Sequence, residues 1–362
     1  MEQPSVAVVV VNYNGLELLK NCLKSLERTT YANFQVIVVD NASTDGSTDF
    51  VQKHYQRSVR LVQNERNLGF CAANNIALRQ TDTKYVVLLN NDTEVEPAWL
   101  VELVRVAESD PTIGALQPKI RSLRNREQFE YGGAAGGLID VYGYPFCRGR
   151  VFNTVERDQG QYDTVMDAFI AMGAAMFLRR SVLDETGLFD ESYFAFFEET
   201  DLSWRIRLRG YKIKCIPSSV IYHVGGATAP YNDPRRAYLL HRNGLITLLA
   251  NYSLGNLLRF LPLRLLFEFA NIFYYLGRAP KCALAPPRSL LWILAHPQIV
   301  WAKRRRAQRL RKLSDRDILR NMATRSILVQ YFLQGKKTFS ELKGLPTLHA
   351  DENVSRPVVH KG

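Results

Sequence analysis

Asn90-Asn91-Asp92 closes an unbroken apolar run that begins at Tyr85. A run this hydrophobic reads as a parallel strand buried on both faces, and ligands of open α/β sheets bind at the C-terminal edge of such strands. One carboxylate beside two carboxamides suits a hard, oxygen-liganded cation that leaves positions open for phosphate oxygens. The same residues also suit an ordinary polar turn. A second acidic group, Glu198, Glu199 and Asp201, follows Phe194, Phe196 and Phe197. Adjacent carboxylates in aromatic surroundings raise each other's pKa, which is what a general base needs. The alternative is favourable charge at a helix N-terminus. Asp201 stands one turn before Arg205, a spacing that pairs the two.

Other polar groups cluster where apolar runs end. Asn12 and Asn14 follow the first run; they would line a base pocket or simply make a turn. Asp40 and Asn41 follow the second. Asp40 can accept bonds from a pyrimidine N–H or a ribose hydroxyl, which leaves helix capping to Ser43 or Asp45. Arg66, Asn67 and Asn74 frame a Gly69 turn into a helix, a place for a nucleotide sugar, although Arg66 equally suits a solvated surface. His223 precedes Gly225-Gly226 and is either structural or a metal ligand. As a ligand it would favour manganese over magnesium. Tyr131-Gly132-Gly133 and Met172-Gly173-Ala174-Ala175 allow the backbone to approach a sugar closely.

These groups need a scaffold that gathers them. Strands are expected over 6–11, 34–39, 59–62 and 85–89, with helices over 16–28, 45–55, 70–79 and 97–108 between them. This alternation predicts a doubly wound, mostly parallel sheet. Residues 122–162 read as loops around a site. A strand over 173–178, a short helix from Ser181, a helix over 200–209 and strands over 213–216 and 220–222 complete the first region. We take residues 1–230 as a catalytic domain, 231–335 as a helical region and 336–362 as a flexible tail.

Charge divides the chain in the same way. Of 362 residues, 1–234 carry 24 Lys and Arg against 29 Asp and Glu, whereas 235–320 carry 17 against 3. Leu254, Leu257, Leu258, Leu261 and Leu265 form an apolar stripe, but Arg259, Pro262 and Arg264 interrupt it. No window offers the roughly 20 uncharged residues of a spanning helix. Trp292 and Trp301 precede Lys303-Arg304-Arg305-Arg306, then Arg309, Arg311 and Lys312. Stripe, aromatic anchors and basic cluster describe a segment lying on an anionic membrane surface; a helical subdomain with a solvated basic face is the alternative. Five scattered cysteines without CxxC spacing point to a reducing compartment. The acidic start and the short 6–11 run do not read as a secretory leader. A nicotinamide oxidoreductase is excluded, because no GxGxxG follows the first strand. The tail interleaves its charge with aliphatic runs, which argues against nucleic acid.

Taken together, the motifs over about residues 6–230 resemble family 2 glycosyltransferases of the GT-A fold, and within them the bacterial rhamnosyltransferase-like branch. The resemblance implies an inverting, metal-dependent transferase acting from a nucleotide-sugar donor, best guessed as dTDP-rhamnose, with a UDP-sugar as alternative. It also implies a lipid-linked saccharide acceptor at the inner face of the cytoplasmic membrane. By register with the family's acidic motif, Glu199 takes the base position beside Glu198. Asp92 takes the last position of the DxD-like motif, whose first position is here Asn90. His223 is placed to complete the shell of a manganese or magnesium ion. Asn12, Asn14, Asp40, Asn41, Arg66, Asn67, Asn74, Asn91 and Asp92 are the donor-binding set. A non-catalytic nucleotide-sugar binding protein would tolerate loss of the acidic cluster, and its presence counts against that reading.

Overall fold

Strand β1 (Val6–Asn12) is fully buried up to Val10 on both faces, so its side chains must feed two cores. A computed structural model describes residues 3–130, 132–225 and 232–347. Around β1 lie β2 (Phe34–Asp40), β3 (Val59–Gln63) and β4 (Tyr85–Asn90), all parallel. Val8, Val10, Val38 and Leu89 point to one core, shared with α1 (Leu16–Leu26) and α4 (Trp99–Ser109); Ala7, Val9, Ile37 and Leu88 point to the other, shared with α3 (Gly69–Arg79). Helix α2 (Ser47–Tyr55) lies between β2 and β3. On α1, Leu19, Cys22, Leu23 and Leu26 are the buried face, as their helical spacing predicts.

The nine-stranded sheet runs β3-β2-β1-β4-β12-β6-β13-β11. Its other half comprises β6 (Ile113–Ser122), β11 (Met166–Asp167), β12 (Ala175–Arg179) and β13 (Lys212–His223), with β5 (Thr93–Val95) pairing β13 off the main path. The sheet is the expected mostly parallel α/β layer, with β12 running antiparallel between β4 and β6. The two strands expected over 213–222 are one, because β13 continues parallel to β6 through a register shift between Ile216 and Val220. Residues 122–162 are not merely loops. Strands β7 (Gly137–Ile139), β8 (Pro145–Cys147), β9 (Arg150–Val151) and β10 (Thr154–Val155) form a second antiparallel sheet. Its Leu138, Phe146, Cys147 and Val151 are buried. Strands of two or three residues give too short an alternation to read from sequence.

Helices α5 (Arg180–Thr186) and α6 (Glu198–Leu208) precede β13, and α7 (Pro234–Asn251) packs on α6. The buried face of helix α8 (Leu254–Arg278) includes Arg264 and Glu268, while Leu258, Leu265, Leu266, Phe269, Phe273 and Leu276 are exposed. Helices α9 (Ala285–Ala295) and α10 (Pro297–Leu310) extend this surface through Leu291, Leu294 and Trp301. Much of the basic run serves the fold: Arg304 donates to Leu249 O and Tyr252 O at 2.8 and 2.7 Å, and Lys303 pairs with Asp190. Among residues 336–347, Phe339 is buried and stacks with Phe146. The last fifteen residues of the expected tail, 348–362, lie outside the described residues.

Arg264 and Glu268 are held by one another (Nε to Oε1, 2.9 Å), with Tyr142 O accepting from Arg264 at 2.9 Å and His241 Nδ1 2.5 Å from Glu268 Oε2. Removing one partner of a buried pair strands a charge. Glu268→Ala is therefore expected to destabilise the protein by about 3–5 kcal/mol in chemical denaturation. The double exchange Arg264→Met/Glu268→Leu should recover most of that loss.

Candidate active site

Parallel register sets the first part of the site. Asn12 at the end of β1 lies level with Asp40 at the end of β2, and Val11 lies level with Asn90 of β4. Three chain turns thus emerge at one sheet edge. Asn12 Nδ2 donates to Asp40 Oδ2 at 3.1 Å, and its Oδ1 accepts from Asn91 Nδ2 at 2.8 Å. Gly15 lies so close that a Cβ there would sit 2.4 Å from Asn91 Nδ2. Asp40 is buried, and its Oδ1 accepts Ser43 N at 2.8 Å. Asp45 instead ties two helix starts together, accepting Leu16 N at 2.8 Å and Ser47 N at 3.1 Å. Asn14, at φ 48°, accepts Thr44 N at 2.8 Å.

The remaining donor-set residues divide by what they touch. Asn41 donates to Gly69 O and accepts from Asn64 Nδ2, so its amide joins the β2 turn to α3. Asn74 is buried and donates to Phe70 O one turn earlier in α3. Asn67 accepts Gly69 N at 2.9 Å, and both Asn67 and Arg66 are exposed at the mouth of that turn. Among the described residues the side-chain hydrogen bonds of Asn41, Asn67 and Asn74 go to the β2 turn and α3 rather than to Asp92 or Glu199.

The antiparallel pairing of β13 with β5 sets His223 opposite Thr93 and beside Asp92. Val224 N donates to Asp92 O at 3.0 Å, locking the two turns together. His223 Nε2 lies 2.9 Å from Asp92 Oδ1, and Nδ1 lies 2.8 Å from Glu130 Oε2. All three side chains are buried. Burial alone would lower the imidazole pKa; the carboxylates on both ring nitrogens outweigh it and push the pKa up to about 10. Glu130 had no motif to reveal it. It sits in the segment between the two sheets, and only the fold carries it behind His223. Gly132 N donates to the same Glu130 oxygen, and Gly225, at φ 68°, leaves the room a Cβ would take from Glu130. Tyr131 and Gly226 lie outside the described residues.

The acidic pair approaches from α6. Phe194, Phe196 and Phe197 all have φ between 65° and 68°, a conformation costing roughly 1–2 kcal/mol for each such residue. That bend turns the chain into α6 at Glu198. Glu198 is buried and Glu199 half-buried, and among the described residues neither Oε2 has a hydrogen-bond partner. Burial raises both carboxyls above the usual carboxylate range, and the charge of Glu199 raises Glu198 further. Asp201 pairs with Arg205 at 2.8 Å, as the one-turn spacing predicts. Gly173 connects this group to the sheet edge. The Cβ of Glu199 lies about 4.0 Å from where a Gly173 Cβ would be, and the next residue, Ala174, accepts Asn90 N at 3.1 Å.

Residues 7–187, which carry the β1, β2 and β4 turns of this site, match the family model described as glycosyl transferase family 2. The chain belongs to that family. This glycosyltransferase is 28% identical over 267 residues to N-acetylglucosaminyl-diphospho-decaprenol L-rhamnosyltransferase of Mycobacterium tuberculosis, covering 68% of this chain and 85% of that one. It is 28% identical over 224 residues to O-antigen biosynthesis protein RfbC of Myxococcus xanthus, covering 61% of this chain. The glycosyltransferase spans only 17% of the Myxococcus protein, and 25% of another relative from Sinorhizobium fredii. Among solved structures, GalNAc-T7 with UDP, GalNAc and Mn2+ superposes with a TM-score of 0.57 at 18% identity, over 70% of this chain and 49% of that one. That likeness gives the GT-A type of α/β fold.

Glu130 holds the far side of the His223 ring, as carboxylates behind ligating histidines do. Glu130→Gln removes one of the two carboxylates that hold the ring, so the His223 pKa, read by NMR titration, is expected to fall. Nucleotide binding measured without metal should stay unchanged.

Proposed function

We propose that this glycosyltransferase moves a sugar, with inversion, from a nucleotide-diphosphate donor to a hydroxyl of a lipid-linked saccharide during cell-surface polysaccharide synthesis. The observation that carries the reading is the pair of desolvated carboxylates, Glu198 and Glu199, set across Gly173 from the Asn90–Asp92 turn. Asp40, Asn12 and Asn14 line the sheet edge for the base and ribose, and the exposed Arg66 and Asn67 flank the diphosphate. Glu199 takes the proton of the acceptor hydroxyl as that oxygen attacks the anomeric carbon. The bond from that carbon to the diphosphate oxygen breaks on the opposite face, which inverts the centre. Burial keeps the Glu199 carboxyl basic enough for the task.

Among the described residues no three His, Cys, Asp or Glu side chains form a ready-made metal cluster. Asp92 Oδ1 and His223 Nε2 nevertheless face one another at 2.9 Å, and Glu130 on Nδ1 holds the ring so that Nε2 can ligate once a metal displaces its proton. These residues fit a divalent cation, with donor phosphates completing its shell. Manganese or magnesium held there would neutralise charge on the departing diphosphate. Likeness to the mycobacterial L-rhamnosyltransferase supports dTDP-rhamnose as donor, and a UDP-sugar is the competing outcome.

The surface of α8–α10 supports a peripheral site on the inner face of the cytoplasmic membrane. Among the described residues no helix is long and apolar enough to cross a bilayer. Exposed Leu258, Leu266, Phe269 and Leu294 are rimmed by exposed Arg259, Arg278, Arg288 and Arg309, a pairing suited to anionic lipid.

Two measurements test these readings. Glu199→Gln is expected to lower transfer by at least about 100-fold while UDP and dTDP binding persists. Because the base acts deprotonated, wild-type kcat/KM should rise with pH through the raised carboxyl pKa, and the variant should lose that limb. Full activity in Glu199→Gln would sink the base assignment. In vesicle flotation, the protein should bind anionic vesicles more than neutral ones, and Leu266→Ser/Phe269→Ser should abolish binding without changing nucleotide affinity. Equal binding by that variant would refute the membrane reading.

A further inference from the structure

The bend that delivers Glu198 and Glu199 does not hold itself. Residues 193–197 include three non-glycine residues in left-handed conformations, and their carbonyls point away from regular structure. Three of those carbonyls, from Tyr193, Ala195 and Phe196, accept from one amide: Asn243 Nδ2, at 3.2, 3.0 and 2.8 Å. Asn243 is fully buried in the middle of α7. Arg242 Nε donates to Asn243 Oδ1 at 2.9 Å, which fixes the end of the amide that faces the bend. Arg242 Nη2 adds a bond to Ser192 O at 2.9 Å.

The contact continues along one face of α7. Thr247, one turn on, lies 3.0 Å from Tyr193 Oη, and Asn251, two turns on, donates to Asp201 Oδ1 at 3.0 Å. Residues four apart share a helix face, so one polar stripe grips both the bend and the first turn of α6. From the opposite side, Phe194 O accepts Phe70 N at 2.9 Å, and Gly69 leaves room for the Phe194 ring. The bend is held between α7 and α3.

We infer that Asn243, oriented by Arg242, is the positioning residue of this active site, holding the 193–197 bend so that Glu199 faces the acceptor. The inference rests on Glu199 as base. It also gives α7 a part in catalysis from outside the matched family region, which ends at residue 187.

A purely structural role and a positioning role predict different kinetics. Asn243→Asp keeps the volume but replaces the NH2 donor with one carboxylate oxygen facing three carbonyls. In folded protein, judged by circular dichroism and thermal melting, we expect kcat to fall about 100-fold, the cost of a misplacement of about 1 Å. UDP and dTDP affinities by calorimetry should be unchanged, because the base pocket lies at the ends of β1 and β2. The acidic limb of the pH–rate profile should move down as the carboxylates gain water. Arg242→Gln, which keeps the amide but frees its orientation, should give a smaller loss of the same kind, and it carries the test if Asn243→Asp does not fold. Wild-type kcat and limb in either folded variant would overturn the proposal. Failure of the underlying base reading is distinguishable, since Glu199→Gln would then remain active whatever Asn243 does.

Discussion

Keeping Glu198 and Glu199 side by side and away from water is costly, because burial disfavours each charge and each charge disfavours its neighbour. The rest of the site is arranged around that constraint. The helix that begins at Glu198 offers backbone N–H groups to the acidic pair, while the bend before it takes conformations that few residues adopt. Bonds from α7 and α3 offset that strain. In the proposed reaction this arrangement gives a base that needs no reorganisation at the moment of transfer.

The second acidic centre solves a different problem. Asp92 and Glu130 clasp His223 from its two ring nitrogens, so the ring can neither rotate nor move away. The two turns that carry Asp92 and His223 are joined by a backbone bond. Asp92 and His223 are thereby held rigidly as the few protein ligands of the proposed metal site. Phosphate oxygens of the donor complete the set in the proposed complex.

In α8 an ion pair lies inside, next along the buried face from Leu257 and Phe260, while other leucines and phenylalanines lie outside. The inner pair has a local explanation: Arg264 answers the backbone of Tyr142 and lies over the Tyr144 ring at 4.1 Å, while Glu268 answers His241. The outer face has no partner within the described chain. Apolar surface of this extent is kept in a folded protein when something else covers it.

Unbroken runs of valine and leucine marked, without any coordinates, β1, β2 and β4 as parallel strands buried on both faces, while β3 at the sheet edge is only partly buried. Polar residues after each run likewise marked the sheet edge at which these turns gather. Asn12, Asp40 and Asp92 were legible because each ends a long, regular element, and Asp201 and Arg205 because helical spacing pairs them. Glu130 and Asn243 were not legible, since each acts on a partner 93 and 47 or more residues away through an irregular turn that no periodicity encodes. The short second sheet was hidden for the same reason. Local chemistry determined which residues could act. Only long-range packing decided which of them meet, because the contacts that aim a carboxylate or back a histidine come from elements remote in the chain.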